Sequence, residues 1–123
     1  MTAECIFCKI ANRLTNSVAH YHFEDNQIVA FDDLYPQAPV HILIISKKHI
    51  PTIADISGDD IQLLGKMIKT AQELAKSHRL DDRGYRLVFN VKNHGGQVVD
   101  HIHLHLIGGC PLGKMTNSCN ETR

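Results

Sequence analysis

Asp100-His101-Ile102-His103-Leu104-His105-Leu106-Ile107 is the stretch on which the reading of this chain turns. Histidine alternates there with an aliphatic residue, three times over. Side chains of an extended strand alternate between faces. A strand here therefore puts His101, His103 and His105 on one face and Ile102, Leu104 and Leu106 on the other. The aliphatic face reads as an anchor in a core. The other face presents a row of imidazoles on a rigid backbone, where Lys or Thr would give solubility equally well. The chain has nine histidines in 123 residues, and this placement points to the chemistry of neutral imidazole. Two uses stay open on the residues alone: ligands for a metal, or an organic apparatus that acts on an anion.

Outward from this strand, predicted over Val99 to Ile107, the pattern supplies an antiparallel sheet. Val18 to Glu24 and Gln27 to Phe31 read as two strands joined at Asp25-Asn26, a hairpin turn. Pro36 and Pro39 mark an irregular segment. His41 to Ser46 is apolar on both faces, as in a strand covered on both sides. Tyr85 to Val91 is a further strand, followed by a loop over Lys92 to Gln97 that contains Gly95-Gly96. Cys5 to Ala11 is expected to form a short helix or turn. Ser57, with Asp59 and Asp60 after it, is expected to open a long helix that runs to about His78. Its apolar stripe is Ile61, Leu64, Ile68, Ala71 and Ala75, expected on the sheet. Leu63, Met67 and Leu74 lie off that stripe, either facing a partner subunit or widening one core face. The fold class expected is α+β: a five-stranded antiparallel sheet, one long helix and a short N-terminal helix in a single domain over residues 1–123, with an irregular tail from 110 to 123.

Thirteen basic residues balance thirteen acidic ones, which removes the usual electrostatic argument for binding a nucleic-acid backbone. A small anion needs only a local cluster of donors. The N-terminal residues lack a signal-peptide pattern, and the longest apolar run, Ile42 to Ile45, is far too short to span a bilayer. A cytoplasmic protein with no membrane partner is expected. The Cys5-Ile6-Phe7-Cys8 pair is ambiguous by itself between metal binding, redox chemistry and chance.

Larger segments then fall into place. His101 to Ile107 matches His-φ-His-φ-His-φ-φ, with φ an apolar residue, and Gly95-Gly96-Gln97 stands upstream of it. Phe31-Asp32-Asp33-Leu34-Tyr35-Pro36-Gln37-Ala38-Pro39-Val40-His41, Gly84-Tyr85-Arg86 and Asn90 complete the pattern. Together they resemble the histidine-triad family, and within it the Hint branch of purine nucleoside phosphoramidases, over Cys5 to about Met115. The resemblance implies a nucleotide hydrolase or transferase. It would cleave purine nucleoside phosphoramidates or acyl-adenylates at the α-phosphate, through a nucleotidyl intermediate on His103. It also implies catalytic roles for His105, His41 and His101, a ribose contact for Asp33, and phosphate or hydrogen-bonding contacts from Asn90, Gly96, Gln97 and the backbone at Val98. Phe7, Ile10, Phe31 and Leu34 are implied as walls of a purine pocket.

The same resemblance implies a structural zinc ion on Cys5, Cys8, His49 and His101, no catalytic cofactor, and a homodimer, with the sheet continued across it. Val98 departs from the family, which often has Ser or Thr after the Gln. The stretch Leu14 to Tyr21 departs too, lacking a common Ile-Pro. Two other functions are kept beside the enzyme: a nucleotide-binding partner protein with little catalysis, suggested by Val98, and a metal-dependent hydrolase with the triad as ligands.

Overall fold

The computed structural model describes residues 5–14 and 20–116. Among them, helix α1 (Ile6–Ala11) is followed by strands β1 (Tyr21–Glu24), β2 (Ile28–Asp32) and β3 (Val40–Ser46). Helix α2 (Ile61–Ser77) comes next, then β4 (Tyr85–Phe89) and β5 (His103–Gly108). The five strands form one sheet in the order β1-β2-β3-β5-β4, and every neighbouring pair is antiparallel. The expected α+β class and five-stranded antiparallel sheet are therefore present.

The sheet has an apolar cluster on each side, because its central strands are apolar on both faces. On one side Ile28, Ala30, Ile42, Ile44, Leu104 and Leu106 pack beneath α2. On the other, Val29, Phe31, Leu43 and Ile45 pack against Phe7, Ile10 and Ala11 of α1. Full burial of one such Ile, Leu or Phe side chain stabilises the fold by about 1.5–3 kcal/mol. β3 lies in the middle, pairing with β2 and β5, and so carries His41 into the interior.

Several boundaries differ from the expectation. The part of the first strand predicted over residues 18–19 lies outside the described residues; β1 itself starts at Tyr21. β2 runs one residue further than predicted, to Asp32, and β4 stops at Phe89 rather than Val91. Ser57 does open a helical segment, its backbone N–H donating to Asp60 Oδ2 at 2.9 Å. The first turn over Gly58–Asp60 is 3-10, however, and α2 proper begins at Ile61.

The stripes of α2 differ in part from the expectation: Ala71 and Ala75 are buried as expected, while Leu63 and Met67, read as lying off the stripe, are buried with them and widen one core face instead of facing a partner. Leu63, Met67, Ala71 and Ala75 are buried, with Leu64 and Leu74 partly buried beside them, while Ile61 and Ile68 are 60% and 47% exposed. Both stripes satisfy helical spacing. The buried apolar residues stand four apart at every step, from Leu63 to Ala75.

The last strand also starts late, at His103 instead of Val99. His101 N–H bonds Val99 O at 2.8 Å, and Ile102 N–H bonds Ile50 O at 2.7 Å, so neither joins the ladder with β4. Alternation nevertheless survives through this segment: Ile102 packs in the α2-side cluster, whereas the rings of His101 and His103 both meet Phe7. From Pro111 to Thr116 the tail has no helix or strand, and positions 117–123 lie outside the described residues. No helix among the described residues is long and apolar enough to cross a membrane.

Candidate functional site

On the α1 side of the sheet a cleft of about 450 Å³ opens beside the histidine strand, within the range of small-molecule sites. Phe7, Ile10 and Phe31 form its apolar wall, and Leu34, Val98 and Val99 its rim. Asp33, His41, Asn90, Gly96, His103 and His105 bring polar groups to it.

The hydrogen bonds fix which nitrogen of each ring holds a proton. His103 Nδ1 lies 2.7 Å from the carbonyl oxygen of His101. A carbonyl only accepts, so Nδ1 carries the proton and Nε2 keeps its lone pair. In His41 the order is opposite: Gln37 N–H donates to Nδ1 at 3.0 Å, so the proton is on Nε2. That N–H faces His105 Nδ1 at 2.9 Å and Asp33 Oδ2 at 3.3 Å. His105 therefore accepts at Nδ1 and, when neutral, holds its own proton on Nε2. The rings of His103 and His105 are 5.0 Å apart. Asp33 is held in turn by Tyr35 N–H, 2.8 Å from its Oδ1.

Burial keeps these rings neutral. It lowers the pKa of His103, against the opposing pull of the His101 carbonyl and Asp33. It lowers that of His41 against Asp33. It brings His105 down to about 4, with His103 and His41 adding in the same direction. The cleft thus presents one nucleophilic imidazole nitrogen, a proton donor on a neighbouring imidazole, and a carboxylate at its edge. Such a set suits attack on an electrophilic phosphorus centre.

The loop before β5 is shaped by its glycines. A Cβ on Gly95 would collide with the backbone of Val91, and Gly96 has φ +81°, which favours glycine. Asn90 Nδ2 donates to Gly95 O at 2.7 Å, tying the loop to the end of β4. The Gln97 side chain closes the loop on itself: Nε2 donates to Pro51 O and Val99 O at 2.6 and 2.9 Å, and Oε1 accepts from Lys92 N–H at 2.9 Å. Gln97 is not part of the cleft lining, in contrast to the other nucleotide-contact residues inferred from sequence. Val98 is 90% exposed at the rim.

His101 serves a different place. Its Nε2 donates to Ser46 O at 2.7 Å, so Nδ1 holds a lone pair. That lone pair faces Cys5 Sγ, Cys8 Sγ and His49 Nδ1 at 3.3, 3.5 and 3.2 Å. Burial lowers its pKa to about 4, opposed by the Ser46 bond. Cys5 also caps α1, its sulfur accepting Cys8 N–H at 3.3 Å. Two sulfurs and two imidazole nitrogens, all within 4.8 Å of one another, are the donor set of tetrahedral zinc, and the carbonyl behind His101 orients that ring as an outer partner does.

Sequence reasoning missed Ile6, Tyr35, Gln37, Leu43 and Val99 as lining residues. Gln37 was visible within the Pro36-Gln37 segment, but its role lies in its main-chain N–H, which residue type does not reveal. Leu43 belongs to an apolar run whose two faces look alike in sequence.

The chain is also similar to known proteins in sequence and fold. The family model for "Scavenger mRNA decapping enzyme C-term binding" matches residues 4–119. The purine nucleoside phosphoramidase of Escherichia coli strain K12 is 48% identical over 115 residues, covering 94% of this chain and 95% of its own length. A HIT family hydrolase from Legionella pneumophila Philadelphia 1 superposes with a TM-score of 0.86 at 52% identity, over 89% of this chain and 96% of that one. Another from Clostridium thermocellum gives 0.88 at 37% identity, over 94% and 100%. The chain belongs to the histidine-triad (HIT) family.

Proposed function

We propose that this histidine-triad hydrolase cleaves purine nucleoside phosphoramidates or acyl-adenylates at the α-phosphate, with His103 as nucleophile. The lone pair of His103 Nε2 forms a bond to phosphorus as the bond to the leaving group breaks. The leaving group departs with that bonding pair and takes a proton from the imidazole network of His105 and His41. Water then attacks the nucleotidyl-histidine and gives one proton back to that network, which releases the nucleoside monophosphate and restores neutral His103. Asp33 suits two neighbouring ribose hydroxyls as an acceptor, and Phe7, Ile10, Phe31 and Leu34 suit a purine face. Asn90, Gly96 and Val98 line the same cleft, and their polar groups suit contacts to phosphate oxygens. Gln97 supports this loop from behind.

The observation that carries the reading is the 2.7 Å bond from His103 Nδ1 to His101 O, which leaves Nε2 as the attacking atom. Incubation with α-phosphorus-labelled adenosine 5′-phosphoramidate should leave acid-labile, alkali-stable label on His103. Turnover without label on His103, or label on another residue, rejects the mechanism. Tight nucleotide binding with negligible turnover would favour a partner protein instead. The triad as a catalytic metal site is opposed by the division of its rings, since His101 faces the cysteines while His103 binds a carbonyl.

The Cys5, Cys8, His49 and His101 cluster is read as a structural zinc site, with no catalytic cofactor. Thiolate ligands need a reducing compartment, which supports a cytoplasmic location. The exposed Ile61 and Ile68 on α2 and the half-buried β4 at the sheet edge support a homodimer formed through these elements.

A further inference from the structure

The corner between β1 and β2 gathers another set of donors, on the α2 side of the sheet and so across it from the cleft. Asp32 shares its parity with Ile28 and Ala30, which pack under α2. The register of β1 on β2 slips between Tyr21 and Phe23, so Tyr21 and His22 together stand against Phe31. A bulge of this kind re-aims a side chain. Tyr21 packs with the α1-side cluster and Phe23 with the α2-side one. His22, between them, turns towards α2, where its ring meets that of His78 edge-on at 5.0 Å.

There the Asp32 carboxylate is divided between two imidazoles. Oδ2 lies 3.0 Å from His20 Nδ1 and Oδ1 lies 2.7 Å from His22 Nε2. The rings of His20 and His22 are 4.7 Å apart, and the ligand atoms of the three residues lie within 4.8 Å of one another. The side chain of His22 is 14% exposed, that of Asp32 46% and that of His20 73%. The group is thus anchored on one side and open to solvent on the other. With neutral histidines it holds a single negative charge.

We propose that His20, His22 and Asp32 form a second metal site, which takes a divalent first-row transition cation such as Ni²⁺, Cu²⁺ or Zn²⁺ with water in the remaining positions. Two imidazoles and one carboxylate suit these ions; Mg²⁺ and Ca²⁺ prefer oxygen alone, and Cu⁺ prefers sulfur. On binding, each neutral imidazole offers a lone pair at the nitrogen that now faces Asp32, and its single proton sits on the opposite ring nitrogen. The ion would fasten the start of β1 to the end of β2, one residue before Asp33.

The test uses the full chain, first given one equivalent of Zn²⁺ and then titrated with Ni²⁺, while histidine ring nitrogens are followed by NMR. The proposal expects paramagnetic broadening centred on His20 and His22. It expects His22→Ala and Asp32→Asn each to weaken that Ni²⁺ binding by at least about tenfold, since loss of an outer-shell partner alone costs 10–100-fold. Asp32→Asn keeps the shape of the side chain, so its fold, checked by circular dichroism, stands in if His22→Ala misfolds. Because the spectrum assigns each ion to its own histidines, failure of the cysteine cluster to take zinc leaves this reading separately tested. Absence of broadening at His20 and His22, broadening at His41 and His105 instead, or binding indifferent to both variants overturns it.

Discussion

His101 and His103 stand two residues apart, and both rings touch Phe7 at centroid distances of 6.0 and 5.0 Å. They present opposite nitrogens. His101 gives its Nε2 proton to a carbonyl and turns the Nδ1 lone pair on two sulfurs and an imidazole. His103 gives its Nδ1 proton to a carbonyl and keeps the Nε2 lone pair for the cleft. One residue type on one alternating segment thus supports two kinds of site. The backbone carbonyl that each ring meets decides which nitrogen is left to act.

The strongest way to break this contrast is to remove the proposed nucleophile. His103→Gly should lower kcat by about 10⁴-fold or more, as loss of a nucleophile does elsewhere, with nucleotide affinity changed much less because the walls remain. Steady-state kinetics with an adenosine phosphoramidate, alongside calorimetric titration of the monophosphate, separates the two effects. A variant that kept wild-type kcat would show that the lone pair at His103 is not the reacting one.

Removal of a sulfur should act on the other end of the row. Cys8→Ser should weaken zinc binding at the proposed site by about 100-fold, a loss of roughly 3 kcal/mol of linked stability when free zinc exceeds both dissociation constants. For a domain of this size that lowers Tm by about 10 °C, whereas kcat of the folded fraction should stay within about twofold. Bound zinc by elemental analysis and Tm by calorimetry test this. A large fall in kcat at unchanged Tm would mean that the two ends are not separate.

The shared alternation of this segment was legible in its sequence, because period two survives even where the ladder does not. The division of roles was not. His101 lies before the strand, where Ile102 N–H bonds Ile50 O, a long-range main-chain pairing with no side-chain signal. The family pattern named the cysteine and histidine cluster and most of the cleft. It also named Gln97, whose side chain turned out to hold its own loop. Helix α2 shows the converse: Leu63 and Met67 on one side, and Ile61 and Ile68 on the other, both stand at helical spacing from Ala71 and Ala75, and packing geometry, absent from the pattern, chose between them.

Acid should affect the cleft end in a defined direction. In the proposed mechanism His103 must be neutral to attack, and burial lowers its pKa. The acid limb of kcat/KM should therefore fall below the ordinary imidazole value of about 6.5. Stability follows the same sign. His105 titrates at about 4 in the fold and at about 6.5 unfolded. Its contribution is complete above pH 6.5 and is lost as pH falls from 6.5 towards 4, where the unfolded chain takes up the proton first. A pH–rate profile and chemical denaturation across that window test both. An acid limb above pH 7 would mean that the reacting imidazole is not the buried one.

The smallest effect belongs to the rim. Val98 is 90% exposed beside the glycine loop, where family members often place a hydroxyl. Val98→Ser removes little buried apolar surface, so Tm and zinc content should be unchanged. A hydroxyl there could add one hydrogen bond to the departing group or a phosphate oxygen, worth about 1 kcal/mol. That corresponds to a rise of about fivefold in kcat/KM. Because the substitution lies at the cleft and away from the cysteines, a gain confined to kinetics keeps the two ends of the histidine row distinct. A loss of zinc or a lower Tm in this variant would show instead that the glycine loop couples them, through the Gln97 bonds to Pro51 and Val99 that fasten the loop close to His101.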